Sequence, residues 1–444
     1  MTKNLEPFIK VGILSATSID IVLIDMYTVD GHQVRGPQTI TLSPDKRIAW
    51  QGKEYDTLEF HPYDPETGVF EIKDVVIGVN FHWERKEDQK FKGSARFIVE
   101  DDKLTVINVL PVESYLLSVI SSEMSANASL ELLKAHAVIS RSWLLAQIEK
   151  NKQINLQGEQ YCACTETDEE RVKWYDREDH VNFDVCADDH CQRYQGVTRQ
   201  TTQKVEEAIN ATRGEVLTYE GVLCDARFSK CCGGVFEEFE NCWEPKHYHY
   251  LGARADNPDE NNFPDLRDER TAQSFILGRP DAFCNTDDAE ILSQVLNNYD
   301  QETTDFYRWD VKYTAEEISE LAKRRSGIDF GRIIDMIPVE RGTSGRLIKL
   351  KIVGTKCTKT IGKELEIRKA LSNSHLYSSA FTIEKHEVEP ETGYPKGFSL
   401  HGAGWGHGVG LCQIGAAVMG AKGYGYKEIL SHYFIDAELE TMYQ

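Results

Sequence analysis

In residues 8–110 the apolar positions fall in short alternating or β-branched runs, such as Ile21-Val22-Leu23-Ile24, Val75-Val76-Ile77 and Phe97-Ile98-Val99, with turn residues between them. A period of two predicts strands. The clearest pair is residues 95–100 and 104–109, joined by the polar turn Asp101-Asp102-Lys103, which reads as a hairpin ended by Pro111. The period then changes to that of a helix over residues 112–120 and, most strongly, over 130–148. Residues 159–195 are acidic, rich in Cys and His and without periodicity, so they read as a loop that needs something other than an apolar core to hold it.

A second polar stretch covers residues 254–270. Beyond it, residues 309–313 read as a strand, 315–324 as a helix, and 346–353 and 365–368 as strands or short elements of a mixed layer. Residues 411–421 form an apolar, small-residue helix with Gly423 as its C-cap, followed by a helix over 424–434. The fold class is α+β: a strand-rich N-terminal part, a helical middle segment and a mixed C-terminal half that closes the cleft.

Composition narrows the function. The 444 residues are 41% hydrophobic, enough for more than one core. A net charge of −22 would repel nucleic acid and anionic headgroups. No run approaches the roughly 20 apolar residues that cross a bilayer, so no membrane span is expected. Residues 1–14 lack a continuous signal-type apolar region, so the chain reads as cytoplasmic or as a mature form without its leader. Eleven cysteines, seven of them between Cys162 and Cys232, leave at least one thiol unpaired within a monomer.

Four groups of residues suggest chemistry. Glu123 lies between the end of one helix and the start of the next, near Val119, Ile120 and Met124; partial desolvation there suits a carboxyl to donate a proton, and the bland alternative is a solvated or capping acid. Lys134 and Arg141, seven positions apart, share one face of the long helix, either as a solvated stripe or as a site for polar oxygens. In His401-Gly402-Ala403-Gly404-Trp405-Gly406-His407-Gly408-Val409-Gly410 every second residue is glycine, which in an extended chain leaves one face bare for a ligand or another backbone. His180, Cys186, His190 and Cys191, with Cys162 and Cys164 upstream, have spacings that suit zinc, while a disulfide or free thiols would use the same residues. The pair Cys231-Cys232 beside Gly233-Gly234 is assigned neither to packing nor to chemistry.

The run Leu110-Pro111-Val112-Glu113-Ser114-Tyr115-Leu116, then Ser122-Glu123-Met124, then residues 133–143, closely resembles the SpoIID/LytB family, the stage II sporulation protein D-like proteins and amidase enhancers. Residues 404–416 with 424–433 resemble the end of the same domain, and weaker likenesses lie at 186–196, 225–234, 341–346 and 378–381. His136, Trp143 and Ile414 depart from the family pattern of Gln, Tyr and Tyr.

The resemblance implies a lytic transglycosylase that cuts the MurNAc–GlcNAc bond of peptidoglycan glycan strands stripped of stem peptides, leaving 1,6-anhydro-muramyl ends. It implies Glu123 as the catalytic acid, and Lys134 and Arg141 as the family's basic positions. It also implies zinc held in the region of His180, Cys186, His190 and Cys191. Tyr115, Trp405, Gly406, His407, Gly408 and Gln413 are then expected on the sugar. The other function to weigh is a non-catalytic glycan-binding enhancer of a cell-wall amidase. Either implies the cell envelope. The expected organisation is a strand-rich part over 1–109, a catalytic segment with the Cys/His loop over 110–235, a mixed α/β insertion or second domain over 236–385, and the glycine strand with C-terminal helices over 386–444.

Overall fold

The structure, a computed structural model, describes residues 5–65, 67–77, 85–125, 127–157, 164–175, 180–188, 191–198, 202–259, 261–295 and 304–444. The strand-rich part is a sheet of 11 strands. The expected hairpin is present as Ser94–Glu100 against Lys103–Pro111. Its two-residue turn puts Asp101 and Asp102 at φ 47° and 60°, the left-handed pair that matches the twist of the flanking strands. Phe8–Ala16 lies on the other side of Lys103–Pro111, and Val185–Cys186 adds a short parallel strand at Val11 and Gly12. The Cys-rich loop is therefore pinned to one sheet edge. A Cβ on Gly12 would stand 2.7 Å from the Phe183 ring, so this close approach requires glycine.

Lys103–Pro111 leads directly into helix α1 (Val112–Glu123), and α2 (Leu130–Gln157) follows after a short turn. Leu132, Leu133, Ala135, His136, Val138, Ser140, Arg141, Ser142 and Leu144 of α2 are all fully buried. Over residues 132–145 the helix is enclosed on nearly every side and is a core helix, while Glu149 and Lys152 farther along are exposed. It packs against α1, α3 (Gln203–Ala211) and the strand Glu215–Tyr219. Helices α4 (Glu269–Leu277) and α5 (Ala289–Val295) come next in the chain, and α5 supports the turn between α1 and α2.

A second apolar core draws on Trp309, Ile318, Phe330, Leu350, Ile361, Ile367, Phe398 and Leu400. It is built from two sheets with α6 (Ala315–Ser326) and α7 (Glu364–Ala370). A capping box at Thr314 and Glu317 starts α6, and Gly327 at φ 74° ends it. The element expected over 365–368 as a strand or short element is the helix α7, because Ile367 and Ala370, three apart, are residues that reach the core. The chain then returns to the first core with α8 (Gln413–Ala421) and α9 (Tyr426–Tyr433). The start of α8 is delayed from residue 411 to 413 because Leu411–Cys412 pairs in parallel with Phe228–Ser229.

The glycine segment departs from the expected extended strand. Gly397–Ala403 is a strand, but Gly404, Gly406, Gly408 and Gly410 have φ of 76°, 93°, 78° and 71°. Alternating left-handed residues coil the chain, so the glycines do not line one bare face. No helix among the described residues is long and apolar enough to cross a membrane.

Candidate functional site

Helix α1 ends at Glu123 because Met124 turns extended while its N–H still bonds the Ile120 carbonyl. The Glu123 carboxylate is half-buried, and its Oε1 accepts the Arg193 N–H at 3.4 Å. The strip carrying Arg193 is held by α1 and its neighbours. Tyr115 Oη donates to Gln192 Oε1 at 3.3 Å, the Gln195 N–H donates to Ser118 Oγ at 3.1 Å, and Tyr194 Oη donates to Asn108 Oδ1 at 2.6 Å. On the other side, Gln294 at the end of α5 takes the Ser125 N–H on its carbonyl and the Ser129 N–H on its side chain.

The Cys/His loop joins this neighbourhood. His180 Nε2 lies 3.4 Å from Cys191 Sγ, and the Cys186 N–H points at the same sulfur. One donor atom from each of His180, Cys186 and Cys191 lies within 4.8 Å of the others. Two thiols and an imidazole at that separation are a donor set for tetrahedral zinc. The Tyr115 hydroxyl titrates well above its ordinary range, first through burial and then through the nearby thiols of Cys191 and Cys186, with Glu123 contributing further. His190 and Cys162 lie outside the described residues. Cys164 sits on the strand Cys164–Glu166, in the sheet of the second core.

Tyr115 is fully buried and stacks on Tyr194 at 5.0 Å, so its ring supports the loop from inside. Arg141 is fully buried and clamps Glu113 with two bonds of 3.0 and 2.8 Å, while its third nitrogen donates to the Glu215 carbonyl. Glu113 also accepts from Tyr443 Oη and the Gly214 N–H, a satisfied internal ion pair. Lys134 pairs with Glu131 at 2.7 Å and lies over the Tyr426 ring. The shared cationic face expected for Lys134 and Arg141 is divided between a rim contact and the core.

The glycine segment is filled by protein. A Cβ on Gly408 would come 2.5 Å from Arg346 Cζ, and one on Gly410 2.1 Å from the Arg227 carbonyl oxygen. Gly406 presents its carbonyl to Arg346. His407 accepts the Val409 N–H on Nδ1 and packs on Trp243. Burial, followed by Arg227, Arg346 and Arg368, holds its imidazole well below the ordinary range, so it is neutral. Trp405 stacks on Tyr377 at 4.1 Å and keeps part of its surface exposed. Gln413 is buried and its Nε2 faces His136 Nε2 at 3.2 Å.

Sequence reading missed the buried Arg346 as the organiser of the glycine segment, and the buried pair Arg227–Asp225 beneath Trp243. A charged side chain immediately before a strand gives no periodic signal of burial. It also missed Lys230, which donates to the Val295 carbonyl at the end of α5, one residue from the Trp405–Cys231 bridge.

The fold and this site define an α+β protein with a carboxylate at a helix end, braced by a Cys/His loop. Residues 100–219 match the family model described as stage II sporulation protein, SpoIID, and residues 237–410 match one described as a domain of unknown function, DUF8618. An uncharacterized protein of Brachyspira hyodysenteriae is 26% identical over 345 residues, 78% of this chain and 71% of its own. Stage II sporulation protein D of Bacillus subtilis is 22% identical over 327 residues, 73% of each chain. The amidase enhancer of Bacillus subtilis is 24% identical over 235 residues, 51% of this chain and 31% of that protein. The match over residues 100–219 and the similarity to these named relatives support assigning the chain to the SpoIID family.

Proposed function

We propose that this protein is a lytic transglycosylase of the cell envelope, cleaving MurNAc–GlcNAc bonds of denuded peptidoglycan strands to leave 1,6-anhydro-muramyl ends. The observation that carries the reading is Glu123: a half-buried carboxylate at a helix end, inside the SpoIID match, with one oxygen oriented by the Arg193 N–H. A glycosidase that uses water needs a second carboxylate for the other face of the sugar. Here the muramyl 6-hydroxyl is the nucleophile. Glu123 protonates the departing glycosidic oxygen, C1 becomes oxocarbenium-like, and the 6-oxygen bonds to C1 as its proton passes to Glu123.

The contacts Ser125–Gln294, Lys230–Val295 and Cys231–Trp405 continue the wall from Glu123. Trp405 on that wall offers a partly exposed ring for a sugar face, and Lys230 and Lys134 offer charge to lactyl carboxylates. Tyr115, Arg141 and Gln413 act behind the surface, while His407, like Trp405, keeps part of its surface exposed. His180, Cys186 and Cys191 would hold zinc. The ion would supply a local clamp, keeping the loop that carries Arg193 against Glu123.

A second reading, a glycan-binding enhancer working with a cell-wall amidase, draws on the match to an amidase enhancer over 51% of the chain. One experiment separates the two. Purified wild type incubated with denuded glycan should yield 6-anhydro ends by mass spectrometry, and Glu123→Gln should yield none while still binding glycan. Binding by both without product would replace the enzyme reading with the enhancer reading.

A further inference from the structure

A second cluster of metal-type donors lies away from Glu123, in the core behind the glycine segment. Cys232, Asp256, Cys284 and Cys412 are each 2% exposed or less, and one donor atom from each lies within 4.8 Å of the others. They come from four separate stretches: the turn after Phe228–Ser229, the chain before α4, the chain before α5, and the residue that caps α8. Cys232 Sγ and Cys284 Sγ are 3.6 Å apart. Thiolates bound at about 2.3 Å in a tetrahedron are separated by roughly 3.8 Å, so this spacing suits a single ion. With all four donors within 4.8 Å of one another there is no room for a polynuclear iron–sulfur cluster, whose ligands are spread over more than one iron.

Backbone N–H groups converge on two of the sulfurs. The Cys232 N–H and the Gly415 N–H both point at Cys412 Sγ, at 3.3 and 3.4 Å, and the Gly234 N–H points at Cys232 Sγ at 3.4 Å. Such donors favour thiolate over thiol. Asp256 is oriented as a ligating carboxylate usually is: one oxygen accepts the Cys284 N–H at 2.9 Å, and the other accepts Tyr433 Oη at 2.9 Å with His432 Nε2 at 3.5 Å. Three thiols converging on a carboxylate in a dry core would be costly without a cation to bring them together.

We propose that Cys232, Cys284, Cys412 and Asp256 bind one zinc ion in a closed, structural site, distinct from the set at His180, Cys186 and Cys191 and independent of the transglycosylase reading. The ion ties the chain on either side of the second core back to the first. It also fixes Cys412, the N-cap of α8, and with it the neighbouring Gln413 against His136. Four protein ligands leave no open position for water activation, so the metal is a staple whose binding energy is folding energy.

The test removes the loop donors first. Full-length C186S/C191S protein, prepared under reducing conditions without chelator, should carry one zinc per chain, and adding C284S should remove it. C284S is preferable to a change at Cys232 because the buried Cys231 thiol adjoins Cys284 and Cys412 and can substitute for its neighbour. Cobalt(II) exchanged into C186S/C191S should show tetrahedral d–d bands and intense thiolate-to-cobalt charge transfer. That spectrum is read on a chain with all four donors intact, so it decides the matter even where C284S fails to fold. Metal-free C186S/C191S protein without a thiolate–cobalt band, a Cys232–Cys284 disulfide in its peptide map, or zinc retained in full by the C284S chain would each overturn the proposal.

Discussion

The guanidinium of Arg346 occupies the space beside Gly408 that any side chain would need: a Cβ there would lie 2.5 Å from Cζ. The same guanidinium bonds the Gly406 carbonyl through Nε and Nη2 at 3.2 and 3.1 Å, and the Cys232 carbonyl at 3.0 Å. The group that approaches the glycine segment is thus an arginine of this chain, and the alternating glycines make room for it.

Gly408→Ala is therefore expected to destabilise beyond the cost of its left-handed backbone. Gly221 provides the comparison, since it has φ 75° with open space around it while Gly408 has φ 78°. The left-handed conformation costs either alanine about 1–2 kcal/mol. At Gly408 the overlap with Arg346 adds about 1–3 kcal/mol. Urea denaturation of the two variants measures the difference, and equal losses would mean that Arg346 moves aside freely.

Arg141 and Glu113 form a buried pair whose loss should appear in stability. Arg141→Met leaves Glu113 with only neutral donors and should cost about 3–5 kcal/mol. Arg141→Lys should recover little, because a point charge cannot reproduce the two parallel bonds. A double-mutant cycle with Glu113→Gln reads the coupling. A fully stable Arg141→Met protein with weakened glycan binding would return Arg141 to the binding surface.

His136 should make the fold acid-sensitive. Burial, with Lys230 nearby as a lesser cause, pushes its imidazole down to about 3. Gln413 Nε2 donates to its Nε2, and Nδ1 faces Ser140 Oγ, so the neutral ring is the form that fits. The unfolded chain binds a proton there near pH 6.5 and the folded chain does not, so stability falls as pH drops below 6.5. Between pH 7 and 5 this amounts to about 2 kcal/mol at most. His136→Gln should lose that portion of the slope in denaturation curves at the two pH values; an unchanged slope would show that His136 protonates without cost.

Disrupting the donors at His180, Cys186 and Cys191 should lower product formation without touching Glu123. If zinc holds the loop, C186S/C191S should reduce release of 6-anhydro ends about 10–100-fold, the usual scale for loss of an outer support. A chelator should produce the same drop in the wild type, and added zinc should reverse it only there. Undiminished turnover in the double variant would separate the loop from catalysis.

Local patterns carried much of the architecture. The hairpin at Asp101-Asp102, the helices after Pro111 and from Leu130, and the helix after Thr314 were legible because turn chemistry and period act within a few residues. Glu123 was legible through its place at a helix end inside a motif. Burial of charge was not legible. Lys134 and Arg141 look equivalent at seven residues' spacing, yet one pairs at the rim and the other lies in the core, because the partner Glu113 and the strand at Glu215 arrive from elsewhere in the chain.

By itself, the sequence determined the α+β class, the sites of the long helices, the position of Glu123 and the need for something unusual at the alternating glycines, since each is encoded by neighbours along the chain. Only the tertiary structure decided what meets the glycines and which cysteines converge. Arg346 reaches Gly408, and Cys232, Asp256, Cys284 and Cys412 gather, through contacts between residues far apart in sequence. Such contacts arise when separate elements bury their apolar faces together, and that packing leaves no periodic trace in the residues it joins.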